Sequence, residues 1–234
     1  MTATTTEIGH VSVEALTAAV AERVARQLHA ALAAGHRASL VVSGGRSPVP
    51  LFEQLSAVPL EWARVWITLA DERWVSPGDD ASNEALVRRH LLQGHARIAH
   101  FVGLKNTAAT PADGTGRTWT ALGAMPRPFD AVVLGMGEDG HFASLFPQSP
   151  GLAEALDTAQ PPGCVAMLAP APPRQRISLN LPALLDARLL LLPLSGERKG
   201  QVWTRAHEPG PAEELPVRAL LHQRRVPLEV HRFP

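Results

Sequence analysis

Three turns in the sequence concentrate the side chains that can do chemistry. The first, Ser43-Gly44-Gly45-Arg46-Ser47-Pro48, follows the apolar run 39–42 and opens an expected helix over 48–55. Paired glycines let backbone N–H groups approach an anion with no side chain in the way, and the helix start behind them adds a favourable dipole. Ser43 and Ser47 add hydroxyls and Arg46 adds charge, so the turn suits phosphate, although Gly-Gly also serves turns that bind nothing. The second, Asp71-Glu72-Arg73, comes just after the apolar run 65–69. Three charged residues at a strand end cannot all enter a core. They form either an exposed salt-bridged turn or an anion clamp, in which Arg73 grips an oxyanion or phosphate bidentately and Asp71 holds Arg73 in place.

The third turn is Gly135-Met136-Gly137-Glu138-Asp139-Gly140-His141. A short helix is expected near Ala143, which would put His141 about where that helix begins. A helix N-terminus keeps an imidazole neutral, and a neutral imidazole can take a proton from water near pH 7. The bland alternative is a histidine that caps the helix or faces solvent, one among ten in the chain. The turn also spells GxGxxG through Gly135, Gly137 and Gly140. A dinucleotide-binding reading is rejected, because Pro147 and Pro150 cut the following helix short and no strand ends in an acidic residue about twenty positions on. No His, Cys or acidic residues fall at metal-ligand spacing, and no Gly-x-Ser-x-Gly nucleophile elbow occurs. Water activated by His141 is the simplest hydrolytic chemistry that remains.

These turns need a scaffold, and the hydrophobic pattern supplies one. Val13, Leu16, Val20, Val24, Leu28 and Leu32 recur at steps of three or four, an amphipathic helix over 13–32 closed by Gly35. Short apolar runs at 39–42, 65–69, 131–134, 165–168, 177–179, 189–192 and 228–231 read as strands. Helices are expected at 83–92, with Ser82 as N-cap, and at 182–186, 199–205 and 217–221. Alternating helices and nearly continuous apolar strands point to an α/β fold with a Rossmann-like, mostly parallel sheet covered on both faces. Two softer stretches, 106–116 and 160–163, are too short to be linkers, so one domain over 1–234 is expected.

In the 234 residues, Lys plus Arg equal Asp plus Glu at 22 each, so no broad basic field favours nucleic acid or an acidic membrane. Local groups must hold any anionic ligand. The single cysteine, Cys164, reads as a small core hydrophobe in a buried strand, and it rules out an intramolecular disulfide. Neither a signal peptide nor a run of the ~20 apolar residues needed to span a bilayer is read, so a soluble cytoplasmic protein is expected. Oligomeric state is not legible beyond a monomer or weak dimer.

The chain resembles the 6-phosphogluconolactonase family, within the larger group that includes glucosamine-6-phosphate deaminases and ribose-5-phosphate isomerases. The resemblance lies in Ser43 to Pro48, in Asp71-Glu72-Arg73-Trp74-Val75 with Ser82-Asn83 downstream, and above all in Gly135 to Pro147. It continues in Arg176-Ile177-Ser178-Leu179 and Gly196-Glu197-Arg198-Lys199. It implies hydrolysis of a phosphorylated sugar lactone, 6-phospho-D-glucono-1,5-lactone, with no cofactor and no metal. It makes His141 the base that activates water, with Arg73 contacting substrate or stabilising developing charge. Ser43, Gly44, Gly45, Arg46, Ser47, Asn83, Arg176 and Lys199 make up the substrate set, and N–H groups around Gly137 are an alternative oxyanion donor. Arg46 stands where many relatives carry Ser, and Phe142 and Ser178 stand where Thr is common.

Two rivals remain. Glucosamine-6-phosphate deaminases tend to carry Asp-Glu-Tyr, and after Gly-His they show an acidic residue that 143–147 lacks. A sugar-phosphate sensor needs an output module, and no helix-turn-helix with a basic face lies outside the α/β core.

Overall fold

The computed structural model describes residues 4–234. Strands are β1 (Thr5–Gly9), β2 (Ala38–Val42), β3 (Val65–Leu69), β4 (Asp71–Arg73), β5 (His100–Val102), β6 (Ala131–Val133), β7 (Cys164–Leu168), β8 (Gln175–Leu179), β9 (Leu190–Ser195) and β10 (Leu228–Phe233). Helices are α1 (Val13–Ala33), α2 (Val49–Ser56), α3 (Asn83–His90), α4 (Pro111–Leu122), α5 (Leu152–Leu156), α6 (Leu181–Leu184), α7 (Glu197–Ala206) and α8 (Val217–His222).

Seven strands form a parallel sheet in the order β1-β10-β9-β6-β2-β3-β5. Every residue of β2 and β6 is buried, as expected for central strands covered on both faces. α1 shows why its sequence makes a helix. Ser12 accepts from the Ala15 N–H at the start, and Leu16, Val20, Val24, Leu28 and Leu32 form the buried stripe. Each such side chain contributes about 1.5–3 kcal/mol on burial. Gly35, at φ 83°, ends the run. From β2 the chain moves outward to β3 and β5, whereas from β6 it moves the other way to β9 and β10. The connections diverge between β2 and β6, so the crevice at their carboxyl ends is where such sheets bind ligands.

A second sheet, β4-β8-β7, is antiparallel. It grows off the end of β3: the Ala70 N–H donates to Val42 O at 2.9 Å, and Ala70 O accepts from the Leu179 N–H at 2.9 Å. Strands expected at 165–168 and 177–179 therefore exist but belong to this annex rather than to the parallel sheet. Cys164 begins β7, half-buried rather than fully enclosed, and burial pushes its thiol up to about 12. Part of the soft stretch 106–116 is the start of α4, capped by Thr110 with Pro111 in its first turn. The short helix expected near Ala143 is absent. Gly140 and Ala143 both take positive φ, 80° and 49°, and the next helix begins only at Leu152. Among the described residues no helix is long and apolar enough to cross a membrane.

Candidate active site

A cavity of about 330 Å³ opens at the β2–β6 divergence. Ser43, at the end of β2, donates its N–H to Val133 O at 3.0 Å, which ties the two strand ends together. The N–H groups of Gly44, Gly45, Arg46 and Ser47 meet no protein acceptor among the described residues. Unpartnered N–H groups at a strand-to-helix turn are the kind of donor that suits an anion. Ser43, Gly44, Ser47 and Pro48 line the cavity; Gly45 and Arg46 do not, and the Arg46 side chain is exposed. Gly44 is required on packing grounds, because a Cβ there would collide with the side chain of Asn83. Asn83 is buried, donates from Nδ2 to Asp71 O at 2.8 Å, and leaves its buried Oδ1 unpartnered beside the cavity it lines.

The Asp-Glu-Arg strand places its three charges differently from the sequence expectation. Glu72 is completely buried. Its carboxylate accepts from the N–H groups of Arg73, Asn83 and Glu84 at 2.6, 2.8 and 2.7 Å and from the Ser82 hydroxyl at 2.9 Å. It thereby caps α3, where a helix N-terminus supplies donors and positive dipole for a buried negative group. Burial pushes its carboxyl above the usual range, while these hydrogen bonds pull it down. Asp71 does not pair with Arg73: its Oδ2 accepts from the Ser144 hydroxyl at 2.5 Å, and Arg73 Nη1 donates instead to Ala81 O. Alternation along β4 turns Glu72 to the face opposite Asp71 and Arg73, which both line the cavity. Arg73 faces Arg176 across the β4–β8 pair, and both line the cavity. Burial lowers the pKa of Arg176; Asp71 opposes that shift and Arg73 adds to it.

Lys199 reaches the cavity from the first turn of α7, which starts after Gly196 at φ 94°. It has no carboxylate within salt-bridge distance among the described residues. Burial lowers its pKa against the pull of Glu138. Val13, Leu16, Thr17 and Val20 of α1 form a largely apolar wall.

His141 and Gly137 complete the site. No helix stands behind His141; its partner is Asp139, a residue the sequence reading passed over. Asp139 Oδ1 lies 2.6 Å from His141 Nδ1 and accepts the His141 N–H at 3.1 Å. A carboxylate only accepts, so Nδ1 carries a proton, and in the neutral ring the lone pair is therefore on Nε2. Burial would raise the Asp139 carboxyl, but the hydrogen bond and charge of His141 outweigh it and hold it below the usual range. Gly137 permits this pair, because a Cβ there would strike both His141 and Asp139. The i, i+2 spacing of an acid and a histidine within a glycine-rich turn was the available signal. Among the described residues, no three His, Cys, Asp or Glu side chains converge as a metal site would require.

The family model for glucosamine-6-phosphate isomerases/6-phosphogluconolactonase matches residues 12–228. The chain belongs to this family. The Pseudomonas aeruginosa 6-phosphogluconolactonase is 45% identical, covering 92% of this chain and 89% of its own. A relative of the same name from Rhizobium meliloti is 42% identical, covering 94% and 95%. The solved structure of a 6-phosphogluconolactonase from Shewanella baltica covers 97% of both chains with a TM-score of 0.93 at 45% identity. A monomeric glucosamine-6-phosphate deaminase covers 97% of each chain with a TM-score of 0.77 at 16% identity, a likeness of fold alone. In this glucosamine-6-phosphate isomerase/6-phosphogluconolactonase family chain, the residues quoted from the sequence come from six separate elements or turns, and most of them meet at one cavity.

Proposed function

We propose that this protein is an enzyme that hydrolyses 6-phospho-D-glucono-1,5-lactone to 6-phospho-D-gluconate, in the oxidative branch of the pentose phosphate pathway. The observation that carries the reading is the Asp139–His141 pair, 2.6 Å apart, on the wall of a cavity that also receives Arg73, Arg176 and Lys199. A hydrolase for a phosphorylated lactone needs both halves of that arrangement, a base for water and cations for a remote anion.

The phosphate is held by the N–H groups of Gly44 and Ser47, at the cavity wall, with Lys199 and Arg176. This anchoring turns binding energy into orientation of the lactone carbonyl. His141 Nε2 takes a proton from water as the water oxygen bonds to the carbonyl carbon, and Asp139 stabilises the resulting imidazolium. Such base catalysis contributes roughly 10²–10⁴-fold. Arg73, or N–H groups near Gly137, stabilises the tetrahedral oxyanion. The ring C–O bond then breaks, and the imidazolium returns its proton to the leaving alkoxide, which becomes the hydroxyl of the open acid. Asp71 acts through Ser144, fixing the loop beneath His141, rather than through Arg73. The chain works as one domain in the cytoplasm, as a monomer or weak dimer.

The direct test is turnover of freshly generated lactone, with spontaneous opening subtracted. Absence of enzyme-dependent opening, together with ammonia release from glucosamine 6-phosphate, would replace this reading with the deaminase.

A further inference from the structure

Between Gly140 and Pro147 the backbone turns back on itself without helix. Phe142 forms antiparallel bridges with Met136 and with Leu145, and the Leu145 N–H donates to Phe142 O at 3.0 Å. Ala143, at φ 49°, sits inside this tight turn. The residues just outside a bridged pair are brought side by side. Here they are His141 and Phe146, with ring centroids 4.5 Å apart and planes at 41°. Phe142 and Leu145 are fully buried and Phe146 nearly so, so packing fixes where the Phe146 ring lies. That ring also carries the Arg176 guanidinium, 5.8 Å from its centroid.

We propose that Phe146 is a positioning residue for His141, its ring and the Asp139 carboxylate together holding the imidazole and favouring the imidazolium formed as water gives up its proton. This rests on His141 being the base. A neutral imidazole gains little from an aromatic quadrupole, whereas an imidazolium against the ring is attracted to it. The contact therefore strengthens along the reaction coordinate, which is what accelerates a chemical step rather than binding. Arg176 lies farther from the same ring than His141 does, so the ring acts first on the base and only second on the anion-binding cation. Asp139, at hydrogen-bond distance, supplies the larger share of imidazolium stabilisation, and the ring adds a modest increment.

The test compares Phe146→Leu and Phe146→Met, which fill the space without a ring, with Phe146→Tyr, which restores it. Thermal melting establishes that each variant is folded, and kcat and KM are measured across the acid and neutral range. Loss of the ring is expected to lower the kcat plateau roughly two- to fivefold and to move the acid limb of the profile down by about half a pH unit. KM should stay within about twofold, and Tyr should recover both effects. An unmoved acid limb in the folded ringless variants overturns the proposal. So does a rise in KM at constant kcat, which would assign the ring to Arg176 instead. If the wild-type profile has no acid limb, or His141→Ala keeps full activity, the base assignment itself has failed, and the proposal falls with it by a distinguishable result.

Discussion

Arg73 and Arg176 stand directly opposite each other in the antiparallel β4–β8 pair, at the wall of the cavity. Like charges placed across a sheet oppose folding unless an anion lies between or beside them. The expected outcome for Arg176→Gln is unchanged or higher thermal stability, with kcat/KM reduced about 10–100-fold, as fits a lost hydrogen bond to a charged group. Inorganic phosphate should raise the Tm of the wild type and have little effect on the variant. A variant that melts earlier yet turns over normally would show that this pair is structural.

Asp139→Asn should lower kcat by roughly 10²–10⁴-fold with little change in KM, because the amide no longer dictates which imidazole nitrogen carries the proton. Gly137→Ala should share the loss, since the added Cβ strikes both His141 and Asp139. Steady-state kinetics on the two variants, beside their melting curves, separates this effect from a folding defect. Normal kcat in Asp139→Asn would leave His141 without a functional partner.

Glu72→Gln should cost about 1–3 kcal/mol of stability, because each carboxylate oxygen accepts two of the four donors and two of them would then meet an NH₂ group. Denaturant unfolding measures it. An unchanged midpoint would mean that α3 is capped well enough without the charge.

The parts legible in sequence were those with strong periodicity or continuous apolar runs. α1 announced itself through Val20, Val24 and Leu28, and β6 through Ala131-Val132-Val133. β1, at Thr5–Gly9, went unread because it is a polar edge strand with only Thr5 and Ile8 partly buried. α4 was hidden by Gly114 and Gly116, although Thr110 and Pro111 marked its start. The non-helical backbone at His141 was invisible because positive φ at Ala143 follows from tertiary packing, not from local propensity. For the same reason the turn disclosed His141 but not the Asp139 partner or the Phe146 ring. Glu72 was misplaced because its burial depends on donors from α3, eleven and twelve residues away.

Stability should also depend on the buried His231, whose Nδ1 lies 2.9 Å from His10 Nε2. Burial, then His10, hold its pKa below the ordinary 6.5, with Glu229 pulling the other way and Arg23 adding slightly to the depression. Unfolded His231 takes up a proton near pH 6.5, whereas folded His231 does so only at lower pH. Between those values the unfolded chain binds more protons, so stability falls as pH drops. Melting temperatures should decline below about pH 6.5, and His231→Gln should flatten that decline. An equal slope in both proteins would place the sensitivity elsewhere.

The central claim is that His141 activates water to open a phosphorylated lactone. Freshly generated 6-phosphogluconolactone, followed with and without enzyme and corrected for spontaneous opening, should be consumed rapidly by the wild type. Folded His141→Ala should be slower by roughly 10²–10⁴-fold at near-unchanged KM. Wild-type turnover by folded His141→Ala would contradict the account.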